Sequence, residues 1–279
     1  MKCFRLFLAI FTFALVPVVA AAQAQTTTVV VEQSDPDARV DALQPDFNLA
    51  ALPTTLRMPL HKLAFRVTHR FTRPLGEGDF GDLASDLFGF DSGAQIGLEL
   101  RYGLARGTQL GVHRTSDRTI QIFGQHNFWN ERAGHALGLD AIATLEGANN
   151  LRERYKSTLG LAASRNLGRL VALYAEPMLV LNTNAASDAG FDNNTVMMGF
   201  GGRLRVRPST YLVAEVTPRL GGYDLGANQV SFGLEGRAGG HLFQLNFSNG
   251  FGTTLGQIAG GTANYDDWHI GFNIARKFF

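Results

Sequence analysis

His269–Phe279 reads HIGFNIARKFF. Trp268, Ile270, Phe272 and Ile274 fall on one side of an extended chain, and His269, Gly271, Asn273 and Ala275 on the other. The last residues of a soluble domain usually fray into water and need no such order. A chain that stays strand-like to its final phenylalanines is expected to need its end, as a barrel does when its last strand closes on its first.

The same period of two runs back through the chain. Ile96, Leu98, Leu100, Tyr102 and Leu104 alternate with Gln95, Gly97, Glu99, Arg101 and Gly103. Val196, Met198, Phe200, Leu204 and Val206 alternate with Thr195, Met197, Arg203, Arg205 and Arg207. Leu63, Phe65, Val67 and Phe71 alternate with Ala64, Arg66, Thr68 and Arg70. Such alternation marks strands, not helices. Twelve strands are expected, near 62–72, 93–105, 108–116, 118–129, 135–147, 155–166, 169–182, 194–207, 210–221, 229–238, 241–249 and 267–279. Pro177 and Pro218 fall inside two of them, where each removes a ladder hydrogen bond, so bulges or displaced strand ends are expected there.

The connections alternate in length, and only the third-to-fourth link, near Asp117, breaks the pattern. Arg106-Gly107, Asn130 to Gly134, Leu167-Gly168, Pro208-Ser209 and Gly239-Gly240 are short. Arg73 to Ser92, Thr183 to Asn193 and Gly250 to Asp266 are long. Tight turns at one end and long loops at the other describe an all-β, antiparallel up-and-down transmembrane barrel with a polar lumen. A soluble sandwich would also alternate, with its apolar faces turned inward. Arg and Glu together on the polar face suit an enclosed lumen and a solvated sheet face equally; the export signal, the loop asymmetry and the aromatic terminus favour the membrane, where closure spares a strand edge from facing lipid unpaired.

The opening of the chain agrees with export. Lys2 and Arg5 precede an apolar run from Phe4 to Ala22, and Ala22-Gln23-Ala24 fits a cleavage site, so residues 1–24 read as a signal peptide. Removing Lys2 and Arg5 from 25 basic residues leaves 23 against 24 acidic ones, a charge that points to no nucleic-acid partner. The single cysteine, Cys3, lies within that segment, so the mature chain is expected to hold no disulfide and no thiolate metal site. Residues 25–61 carry four prolines and no sustained period, and read as an irregular periplasmic leader or a partial plug. Residues 62–279 form the barrel. The expected location is the outer membrane of a Gram-negative bacterium. The expected partners are outer-membrane lipid and, during export, periplasmic chaperones and the barrel-assembly machinery.

LPTTLRMPLHKLAFRVTHRF, residues 52–71, and NGFGTTLGQIAGG, residues 249–261, resemble features of a bacterial membrane-bound β-barrel domain family of unknown function. The resemblance implies an outer-membrane barrel and no established activity. A final strand ending in phenylalanine also resembles the signal that barrel-assembly machinery recognises, although Phe278, not Phe279, continues the phase of Ile270, Phe272 and Ile274. A bulge or a one-residue shift would reconcile the two.

The candidate site is the lumen. Arg66, Arg70, Arg101, Arg203, Arg205, Arg207, Arg219 and Arg237 are expected to line it, opposed by Glu99, Glu215 and Glu235. Arginine rings favour anions in a pore. Interleaved acids equally suit a salt-bridged, closed interior. The first reading is a narrow passive channel or binder for small polar, anion-leaning solutes; the second is a closed structural or interaction barrel. A third, an outer-membrane lipid hydrolase, needs a histidine two residues before its serine, and Asn246 stands there before Ser248. No enzyme, cofactor or metal is expected. Asp266 to His269, and Asp188 with Asp192, Asn193 and Asn194, are more economically read as solvated loops.

Overall fold

The computed structural model describes residues 35–39, 41–184, 187 and 190–279. The expected signal peptide, residues 1–24, and Asp188 lie outside them. The strands are β1 (Leu63–Phe71), β2 (Ala94–Ala105), β3 (Thr108–Thr115), β4 (Ile120–Trp129), β5 (Gly138–Gly147), β6 (Glu153–Leu167), β7 (Val171–Leu181), β8 (Thr195–Arg207), β9 (Thr210–Thr217), β10 (Arg219–Gly222), β11 (Gln229–Ala238), β12 (His241–Ser248) and β13 (His269–Lys277). β9 and β10 are two parts of one stave, both paired with β8. Each stave pairs antiparallel with its neighbours in sequence, and β13 pairs with β1 from Ala64–Lys277 to Arg70–Gly271. The result is a closed antiparallel barrel of twelve staves, with boundaries within three residues of those read from the sequence.

Period-two sequence becomes two environments. Leu98, Leu100, Ile122, Leu159, Val196, Leu212, Phe232, Leu234 and Phe243 stand exposed on the outer wall. Their intervening neighbours are buried within. A soluble protein would not leave so continuous an apolar surface in water, whereas lipid accepts it. No described helix is long and apolar enough to cross a membrane.

The two prolines behave differently. Pro218 ends β9; its carbonyl still accepts the Met198 N–H at 3.0 Å, and the register to β8 then shifts between Arg219 and Gly221. At Pro177 there is no bulge. β7 keeps one register to β6 on both sides of it, from Ser157–Leu181 to Leu167–Val171, with only the local ladder interrupted. The terminal strand needs no bulge either. Phe278 remains on the outer wall, its N–H bonded to the Leu63 carbonyl at 3.0 Å, and Phe279 packs inward on Phe47, Leu56, Met58 and Ala64.

The lumen is occupied from both ends. Residues 42–58 run among the inward-facing side chains and fold as a tight hairpin. Leu49 N–H bonds to Leu52 O at 2.8 Å and Thr54 N–H to Phe47 O at 2.8 Å. From the long-loop end, α1 (Leu255–Ala259) turns inward, its first turn capped by Thr254 and Gln257. Hairpin and helix share one apolar cluster: Leu49 and Leu52 pack with Leu255 and Ile258 against Ile142, Tyr174, Met178, Met197 and Val213 of the wall.

Candidate functional site

The interior has two unequal halves. β5 to β9 supply the half that holds the apolar cluster, together with Ala162, Ala172 and Val180, yet the same strands also bury Asp140, Glu146, Glu176, Arg203 and Glu215. β1 to β4 and β11 to β13 supply a more uniformly polar half, in which Arg66, Arg70, Thr68, Gln125, Gln244, Asn246 and Asn273 are all buried. The lumen wall is therefore polar all round, interrupted by one apolar cluster.

Polar side chains of both halves are directed at the hairpin backbone. Arg66 Nη2 donates to Ala50 O at 2.6 Å, and Arg70 Nη2 and Asn273 Nδ2 reach the same oxygen at 3.3 and 3.0 Å. Gln244 Nε2 donates to Leu49 O at 3.3 Å, Arg203 Nη2 to Asn48 O at 3.0 Å, and Gln125 Nε2 to Thr54 O at 2.6 Å. Glu215 takes the opposite role. Its carboxylate accepts the consecutive N–H groups of Ala50, Ala51 and Leu52, each at 3.0 Å. A turn that aims successive N–H groups at one point is a ready anion seat, here filled by a side chain of the barrel itself.

Three ion pairs are buried in the interior. Arg203 Nε lies 2.9 Å from Glu235 with both side chains wholly buried, Arg101 Nη2 lies 2.9 Å from Glu99, and Lys277 Nζ lies 3.2 Å from Asp46. Arg66 and Arg70 have no ion pair among the described residues and rely on backbone oxygens and Asn273. Glu176 is fully buried, and neither carboxylate oxygen has a hydrogen-bond partner among the described residues.

Of the residues expected in the lumen, Arg66, Arg70, Arg101, Arg203, Glu99, Glu215 and Glu235 are there and buried. Four arginines are not. Arg205 and Arg237 are half-buried near the tight turns, where Arg205 donates to Pro208 O at 3.0 Å. Arg207 is exposed at the same end. Arg219 belongs to the long-loop end, bonded to Leu225 O at 2.7 Å and Gly226 O at 2.8 Å. Alternation tells which face a residue takes, not how deep along the stave it sits. Of the terminal-strand residues, Trp268, Ile270, Phe272 and Ile274 keep the outward phase, and Trp268 packs 5.4 Å from Phe232.

Asp46, Asp140, Glu176, Lys277, Gln244 and Asn273 join the lumen without having been expected there as site residues. All but Asp46 occupy inward positions of expected strands, where phase alone points to the interior. Nor did the sequence point to the seat of the hairpin. Gly199 and Gly201 face inward on β8, and a Cβ at Gly201 would stand 2.2 Å from Leu49 Cδ1. Gly201→Ala is accordingly expected to destabilise the folded barrel by about 1–3 kcal/mol, the usual cost of overpacking. Thermal unfolding in detergent checks this, and adding Leu49→Ala should recover part of the loss.

Ser248 is fully buried and stands opposite His269 in the β12–β13 pairing, a juxtaposition invisible in the linear sequence. Its hydroxyl oxygen accepts from Ser231 at 3.1 Å and from Gly250 N–H at 3.3 Å, and no hydrogen bond joins the Ser248 hydroxyl to the His269 imidazole. No cluster of three or more acidic, histidine or cysteine side chains suited to a metal occurs among the described residues. At the long-loop end, a hydrogen bond from Arg73 holds the Asp86 carboxyl below its ordinary value of 3.8, against a smaller opposing effect of burial.

A closed twelve-stave barrel with an apolar outer wall defines a membrane-spanning β-barrel protein. The chain belongs to the family described as a membrane bound beta barrel domain, which matches residues 46–278 and so takes in most of the hairpin as well as the staves. Among solved structures, a NanC porin is similar over 78 % of this chain and 99 % of that one, at 9 % identity and a TM-score of 0.50. A mutant of the Rh. blastica porin is similar over 66 % of this chain and 55 % of that one, at 12 % identity and a TM-score of 0.35. No curated protein matches the chain significantly. At such identities the NanC porin likeness speaks to the fold alone.

Proposed function

We propose that this protein is an outer-membrane passage for small polar solutes, kept shut at rest by its own hairpin and α1. The observation that carries the reading is the occupied lumen: an internal gap beside Asn48, Arg101 and His113 amounts to about 30 Å³, room for little more than a water molecule. Passage then requires the hairpin to leave. Its departure uncovers Arg66, Arg70 and Lys277, whose partner Asp46 leaves with it, against Glu215, Glu176 and Asp140, while Arg101 and Arg203 keep their wall partners Glu99 and Glu235. The paired guanidinium groups of Arg66 and Arg70 on β1 are the element that favours anions.

A second reading, a permanently closed barrel, draws on the apolar cluster of the lumen. An open pore would wet Met178, Met197 and Val213, which water disfavours. Planar-bilayer recordings separate the two. The full chain should be silent. Leu49→Ser/Leu52→Ser, which weakens the apolar contacts of the hairpin, should give discrete steps with an anion-selective reversal potential, and adding Arg66→Ala/Arg70→Ala should abolish the preference. Silence in every variant would sink the channel reading and leave the closed barrel.

A further inference from the structure

The long-loop rim is divided by charge. The β3–β4 turn carries Arg118 and the β5–β6 turn Arg152, with Arg114 at the adjoining end of β3 and Arg154 at that of β6; all four are exposed and none is in an ion pair among the described residues. Elsewhere the rim is acidic, with Asp79, Asp82, Asp91, Asp224, Asp266 and Asp267. The basic sector is also hollow. A cleft of about 560 Å³ lies there, walled by Arg118, Arg154 and Lys156 and by Asp117, Glu146 and Glu153.

The formal charges of that wall cancel, but the groups are not equally available. Asp117 is committed inward, accepting from Thr119 N–H at 3.0 Å and from Gln257 Nε2 at 3.0 Å. Glu146 accepts from Gly256 N–H at 3.1 Å and from Gln121 at 3.3 Å, clamping α1. Lys156 donates to Gly256 O at 3.1 Å. Among the described residues the guanidinium groups of Arg118 and Arg154 have no hydrogen-bond acceptor; of the carboxylates facing them, Glu153 and Asp117 are exposed, and Asp117 is already hydrogen-bonded.

The backbone beneath is held in an unusual form. Asn149, Asn150 and Leu151 have φ of 49°, 60° and 60°, Arg154 has 48° and Arg118 has 67°. Consecutive left-handed residues are rare for side chains other than glycine, and leucine gains nothing from them. Asn150 N–H bonds to Arg118 O at 2.7 Å and ties the two turns together. The strain fixes both arginines at one cleft, the kind of place where backbone strain collects.

We propose that this cleft binds a phosphate-bearing ligand through Arg118 and Arg154, with Arg114 and Arg152 extending the positive field along the rim. Guanidinium forks match phosphate oxygens in pairs, and two unneutralised arginines fixed at one cleft match a phosphate better than a carboxylate or a neutral solute. The proposal does not depend on conduction. Its chemistry fits either a lipid headgroup or a soluble phosphate ester.

The test uses the full folded chain in a non-ionic detergent. Two probes are titrated: glycerol 3-phosphate in solution, and phosphatidic acid in mixed micelles with diacylglycerol as the phosphate-free control. Saturable binding of either phosphate probe is expected, weakened at least tenfold in Arg118→Ala/Arg154→Ala and unchanged in Arg169→Ala at the opposite end. Binding of phosphatidic acid alone assigns the site to a headgroup; binding of glycerol 3-phosphate as well assigns it to a soluble ester. Absence of saturable binding of both probes, or equal affinity in the double variant, would overturn the proposal.

Discussion

Glu215→Ala should release the hairpin from the middle of the barrel. The wild-type carboxylate satisfies three consecutive buried N–H groups, those of Ala50, Ala51 and Leu52. Alanine leaves all three without an acceptor in a space closed to bulk water. A hydrogen bond to a charged group contributes roughly 1.5–3 kcal/mol, and an orphaned buried donor costs about 1–3 kcal/mol. The barrel wall would survive, because its ladders are made elsewhere. The hairpin would not remain docked, since the loss of several kcal/mol falls on one short turn. Trypsin cleavage at Arg57, slow in the wild type, is expected to become rapid while the heat-resistant barrel persists. Glu215→Gln should fall between, since its carbonyl oxygen can still accept a neutral bond. Wild-type cleavage kinetics in Glu215→Ala would remove Glu215 from its anchoring role.

Arg203→Met has the second large effect, for a different reason. It strands Glu235, a carboxylate with no exposed surface, in the polar half of the lumen. Breaking a buried pair from one side typically costs about 3–5 kcal/mol, because the remaining charge loses its partner without regaining water. Replacing both partners is much cheaper when the new side chains fill the space. Arg203→Met/Glu235→Met is therefore expected to be more stable than Arg203→Met alone, by thermal or urea unfolding. Should the double variant prove the less stable, the cost lies in the Asn48 and Gln244 bonds and not in the stranded charge.

Both effects rest on contacts to the hairpin and its surroundings, and that is the part the sequence concealed. The staves were legible because lipid outside and enclosure inside impose opposite chemistry on alternate residues. Ile96 to Leu104 and Val196 to Val206 could be read directly for that reason. The hairpin has no such signature. Its shape comes from strand side chains meeting its carbonyl and N–H groups, and its apolar residues, Leu49 and Leu52, answer glycines one hundred and fifty residues away in order of magnitude. Position along the lumen was equally hidden. Arg203 and Arg205 share a face, yet one is sealed against Glu235 and the other hangs at a turn. Phe278 and Phe279 divide the ending between them: one keeps the outward phase, and the other packs against the base of the hairpin.

Hydrogen exchange at the Ala50, Ala51 and Leu52 amides in the detergent-folded barrel tests the occupied lumen most directly. The account predicts protection comparable with that of the stave amides of β8 and β13, with all three exchanging together in Glu215→Ala. Exchange of these amides at the rate of an unstructured chain, in a barrel whose staves are protected, would contradict it.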